Sequence, residues 1–131
     1  MNEKSIVYGK SKRFALRVVN LYKYLVNDKQ EKVMSKQLLR CGTSVGANLA
    51  EAVCAASRPD FLNKVYISLK ECNETRYWLE LLKDANIISG AQFESIFEDA
   101  NELFKLLMSI TKTLKSTRKE PPTSHLPTPN F

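Results

Sequence analysis

A chain of 131 residues with 44% hydrophobic and 26% charged residues has the size and balance of one compact globular domain, which excludes a disordered or fibrous chain and leaves little room for two domains. Of its five prolines, four come after residue 120 and Pro59 stands alone before them. The turn signals that a β-sandwich or barrel needs every 8–12 residues or so are therefore missing, and the chain is expected to be all-α.

Helix one is expected to start near residue 6 or 11 and to run to Asn27. Phe14, Val18, Leu21 and Leu25 recur at helical spacing and stack on one face. The flank of that stripe carries Lys10, Arg13, Arg17, Asn20 and Tyr24. Basic groups in a first turn oppose the helix dipole, so their placement points to something other than helix stability. Asn27-Asp28-Lys29-Gln30 reads as a polar link.

Helix two is expected over residues 31–56, with Met34, Leu38, Cys41, Val45, Leu49 and Ala52 inward. Its middle contains Gly42 and Gly46, each costing about 1 kcal/mol relative to alanine. A run of Gly, Ser and Ala in return admits a neighbouring backbone. Arg40, Ser44, Asn48 and Glu51 share one flank, a pattern suited to a hydrogen-bonded structural network or a subunit contact. A serine with Asn and Glu but no His or Lys base is a poor nucleophile system, so catalysis is not expected there.

Ser57-Arg58-Pro59-Asp60-Phe61 reads as a helix start. Helix three follows to Ala85, and its second half is apolar around most of its circumference. Burial on more than one side suggests a subunit interface anchored by Tyr77 and Trp78, or a Trp78 that fills the bundle core. After Asn86-Ile87-Ile88-Ser89-Gly90, helix four is expected from Ala91 to Ser116, with acids early and lysines late in agreement with the dipole. Residues 1–116 thus form an antiparallel up-down-up-down four-helix bundle domain, and residues 117–131 a flexible Pro-rich tail.

The net charge of +6 has a location. Residues 1–40 hold ten Lys/Arg against three acids, while the other 91 residues hold ten against eleven. A one-sided basic surface favours polyanions. Lys10, Lys12, Arg13, Arg17 and Lys23 are the candidate phosphate contacts. No run interleaves aromatic and basic residues along the chain, so little sequence preference is expected.

Other chemistries are excluded from the helices. The only histidine, His125, lies in the tail, which removes His-based acid–base chemistry, Cys–His dyads and Cys/His zinc sites from the bundle. No di-iron carboxylate pattern and no phosphate-binding glycine loop appears, so no cofactor and no metal site are expected. Cys41, Cys54 and Cys72 show no CxxC spacing and read as free, buried thiols of a reducing cytoplasm. No apolar run of about 20 residues and no signal-peptide core is present, so neither a membrane span nor a secretory leader is expected.

The string Gln37-Leu38-Leu39-Arg40-Cys41-Gly42-Thr43-Ser44-Val45-Gly46-Ala47-Asn48-Leu49-Ala50-Glu51-Ala52 resembles the helix-two signature of the bacterial four-helix bundle, or rRNA intervening-sequence, protein family. Ala56-Ser57-Arg58-Pro59-Asp60-Phe61 and Lys70-Glu71-Cys72-Asn73-Glu74-Thr75-Arg76-Tyr77-Trp78-Leu79 resemble that family's third helix. The resemblance spans about residues 10–116; Cys41-Gly42 and Ala52 replace an expected Ser-Ala and Gly, small for small. It implies a ring-shaped homopentamer, similar in fold to the accessory variability protein of diversity-generating retroelements, which partners a reverse transcriptase and binds nucleic acid. It brings no catalytic residues, and gives Arg40, Ser44, Asn48 and Glu51 a structural role. The expected function is therefore a non-enzymatic oligomer that binds nucleic acid through helix one. The alternative is a scaffold whose basic face meets an acidic protein.

Overall fold

A computed structural model describes residues 3–119, with side chains for residues 6–116. The described residues form α1 (Glu3–Asn27), α2 (Met34–Val53), α3 (Arg58–Asp84) and α4 (Gly90–Lys119), with no strand among them. Each helix packs on its sequence neighbours, and α4 closes the ring against α1. Short links make every neighbouring pair antiparallel, so the architecture is an up-down-up-down four-helix bundle. The expected tail begins inside α4, which continues to Lys119; residues 120–131 lie outside the described residues.

The helix ends have local causes. Gln30 takes a left-handed φ of 56° and breaks the chain after α1. The Glu31 carboxylate then accepts the backbone N–H groups of Val33, Met34 and Ser35 at 3.1, 3.0 and 2.8 Å. These are the donors a helix start leaves unpaired, so α2 begins at Met34 and not at residue 31. Ser57 caps α3 by accepting from Asp60 N, while Asp60 accepts from Ala56 N at 3.1 Å. These bonds hold Ala56 and Ser57 to the start of α3, and α2 ends at Val53, three residues short of the expected end. Asn86, at φ 61°, closes α3: its N–H reaches Lys83 O, and Ile87 N–H reaches Leu82 O, both at 2.9 Å. Ser89 and Gln92 form a reciprocal cap at the start of α4.

The core is built from the expected stripes, with Val18, Leu25, Leu38, Val45, Leu79, Leu82, Leu103 and Leu107 almost fully buried. Phe93, Phe97 and Phe104 fall at its edge, half-buried along the α3–α4 seam. The glycines of α2 face α1. A methyl on Gly42 would stand 2.8 Å from both γ-carbons of Val18, and one on Gly46 would stand 3.1 Å from Ser11 Oγ. The buried Ser68 hydroxyl donates to Val45 O at 2.8 Å across the α2–α3 contact, whereas the buried Thr111 hydroxyl has no partner among the described residues.

Candidate nucleic-acid interface

Helix α1 carries its basic residues on two different sides. Lys10 Nζ reaches Glu102 of α4 at 3.0 Å. Arg17 donates to Asp99 at 2.8 Å and to the carbonyl and hydroxyl oxygens of Ser95 at 2.9 and 2.7 Å. These two cations, expected to contact phosphate, are matched by acids within the bundle. The reason is angular: 10 and 17 are two turns apart, on the side of α1 that α4 closes. Asp99 and Glu102 thus do more than suit the dipole of their own helix.

Lys12, Arg13 and Lys23 point outward and are exposed. Lys12 and Lys23 lie three turns apart on one stripe, about 16 Å along the axis, with Leu16 between them at 62% exposure. Lys29, Lys32 and Lys36 extend the charge over the α1–α2 turn and the first turn of α2, all exposed. None of these six cations has an ion pair among the described residues. Lys29, Lys32 and Lys36 were not singled out as contacts from the sequence; the concentration of charge in residues 1–40 was the signal that held them.

The flank of α2 separates into parts. Arg40 reaches α3, pairing with Glu71 at 3.2 Å and with Glu74, and Glu74 also accepts from Trp78 Nε1 at 3.0 Å. The two carboxylates outweigh the slight burial that opposes the charge, and raise the Arg40 pKa further above its ordinary value. Glu51 pairs with Lys64 at 2.7 Å near the other end of the same seam. Ser44 and Asn48, in contrast, bond within α2: Ser44 Oγ donates to Arg40 O, and Asn48 Nδ2 to Ser44 O. The expected network is therefore two clasps between α2 and α3 with self-bonded residues between them. Short polar side chains in mid-helix reach their own preceding turn first. The Ser44 hydroxyl has a carbonyl partner, with no base set against it by these bonds.

Tyr77 and Trp78 also part. Trp78 is half-buried and packs on the core, while Tyr77 stays 55% exposed with its ring 5.1 Å from the indole. Cys41 and Cys72 are buried free thiols, pushed up to about 11 and about 12, in both cases chiefly by desolvation. Cys54, expected to be buried as well, is free and exposed, because α2 ends at Val53 and leaves it at the helix end. Among the described residues no group of three or more His, Cys, Asp or Glu gathers as a metal site, and no helix is long and apolar enough to cross a membrane.

The molecule is thus an antiparallel four-helix bundle. The 23S rRNA-intervening sequence protein family matches residues 3–109, and the chain belongs to that family. It is similar to the crystal structure of a protein of unknown function from the S23 ribosomal protein family of Bacteroides thetaiotaomicron VPI-5482. The two share 57% identity and a TM-score of 0.83, over 85% of this chain and 99% of that one. No curated protein matches. Neither the family description nor the neighbour's names a reaction.

Proposed function

We propose that the chain is a non-catalytic, oligomeric bundle that binds nucleic acid, structured RNA in particular, through the outward stripe of α1 and the adjoining α1–α2 turn. The observation that supports this reading is the charge imbalance of that surface. Lys12, Arg13, Lys23, Lys29, Lys32 and Lys36 are exposed and unpaired among the described residues, while Glu31 in the same stretch is engaged as a helix cap. Such a surface meets phosphates, releases their counterions and carries little base readout. Assembly of several copies would repeat the stripe and cover exposed apolar groups such as Val53, at 81% exposure. An accessory role beside a reverse transcriptase fits the same surface.

Fluorescence anisotropy with an RNA stem-loop at low and near-physiological salt tests the reading, on protein whose mass is set by light scattering. Log affinity should fall by nearly one unit per log unit of salt for each phosphate contacted. Lys12→Ala with Arg13→Ala and Lys23→Ala should flatten that slope by up to about three units. An unchanged slope, or a monomer that binds no RNA at low salt, overturns it. Leu16, apolar and exposed within the stripe, favours a second reading in which an acidic protein occupies this face. The same triple variant would then lose a co-purifying protein while RNA binding is absent throughout.

A further inference from the structure

Aromatic and basic residues do not alternate along the sequence, yet the α3–α4 seam assembles such an alternation across two helices. Lys83 Nζ stands 4.5 Å from the Phe93 ring centre, and Phe93 stacks on Phe97 at 4.6 Å. The Arg76 guanidinium lies 5.7 Å from Phe97 and 4.1 Å from Phe104. At the far end Lys70 and Lys115 bring their ammonium groups to 5.7 and 5.3 Å from the Tyr66 ring.

The Tyr66 end differs from the rest. Around Phe97 and Phe104 the rings are half-buried and Arg76 covers them, with its Nε enclosed and unpartnered. Tyr66 is 42% exposed. Lys70 and Lys115 over it are exposed and have no ion pair among the described residues. Both ammonium groups lie over the ring; swung out to phosphates they uncover its stacking face, and the two together are what an unpaired nucleotide needs.

We infer that the Tyr66 end of the α3–α4 seam is a second nucleic-acid surface, which takes single-stranded nucleotides by stacking a base on Tyr66 and meeting phosphates with Lys70 and Lys115. It rests on the nucleic-acid reading above but uses other residues, on helices that do not carry the α1 stripe. An acidic peptide would use the lysines and leave the ring without a role.

The test compares a labelled oligouridylate with a blunt RNA duplex of equal length, using the full chain. Tyr66→Ala should weaken oligouridylate about tenfold and leave duplex affinity within error, and Tyr66→Phe should bind as wild type. Lys70→Ala with Lys115→Ala should flatten the oligouridylate salt slope by up to about 1.4 units. The exposure of Tyr66 keeps these variants folded, checked by their thermal melts. Equal oligouridylate affinity for wild type and Tyr66→Ala overturns the inference, and so does a parallel loss on oligouridylate and duplex. If Tyr66 matters while the α1 triple variant changes nothing, the α1 reading falls and this surface stands. If the α1 variant loses duplex while Tyr66→Ala changes nothing, the reverse holds. Absence of binding to both probes at low salt overturns both.

Discussion

At the scale of single residues, Gly42 and Glu31 do work that no other residue type at their positions would do. A methyl on Gly42 would press on Val18 of α1, which is fully buried, β-branched and stiff at χ1. Gly42→Ala would add about 1 kcal/mol of helix propensity but would overpack the contact by about 1–3 kcal/mol. A net fall in urea stability is expected, relieved when Val18→Ala is added; an additive double variant would sink this account. Glu31 is slightly desolvated, which by itself raises its pKa. The N–H donors of Met34, Ser35 and Val33 outweigh that and hold it below the usual carboxylate range. A folded pKa below the unfolded value means the unfolded chain binds the proton more readily. The stabilisation is therefore full above about pH 4.5 and is lost as pH falls through the folded pKa. Glu31→Gln should cost about 1 kcal/mol at pH 7 and progressively less in acid, read from urea midpoints at both pH values.

At the scale of elements, α1 and α4 meet along a seam of mixed polarity, where Leu21 and Ile96 lie beside the polar groups. Arg17, Asn20 and Tyr24 of α1 face Gln92 and Ser95 of α4 across an open groove of about 510 Å³. The Lys10–Glu102 and Arg17–Asp99 pairs clasp that seam while remaining partly exposed, so each contributes about 0–1 kcal/mol. Their larger effect is on charge, since they remove two cations from the surface field. Asp99→Asn with Glu102→Gln should lower stability slightly and steepen the salt dependence of RNA binding, as Lys10 and Arg17 become free for phosphate. An unchanged slope in that variant would mean that α4 does not set which α1 cations are available.

At the scale of the whole molecule, the bundle hides two of its three thiols. Cys41 and Cys72 are fully buried, and burial also disfavours their thiolates, whereas Cys54 sits exposed just after α2. A thiol reagent at pH 8 should modify Cys54 quickly and the other two only as the bundle opens, the slow phase accelerating with urea. Fast modification of all three would contradict a closed four-helix core. Among the described residues, ion pairs tie α1 to α4 and α2 to α3, while α1 meets α2 through small groups. The two surfaces argued to bind nucleic acid lie outside these clasps.

Four amphipathic helices, their order and their inward stripes follow from the sequence alone, because a 3.6-residue apolar period leaves one face to bury. The close approach at Gly42 was legible too, since only a small-residue run admits it, though its partner α1 was not. The caps at Glu31 and Ser89–Gln92 shifted or sharpened helix ends whose side-chain bonds a hydrophobic pattern does not register. Lys10 and Arg17 stood on the same flank as Arg13 by spacing. Only the tertiary structure turned the first two onto Asp99 and Glu102 and left the third in solvent. Likewise Tyr66 and Lys115 are 49 residues apart and become neighbours only when α3 and α4 pack. Periodicity is a property of one helix; which charges remain uncompensated depends on what the next helix brings opposite them.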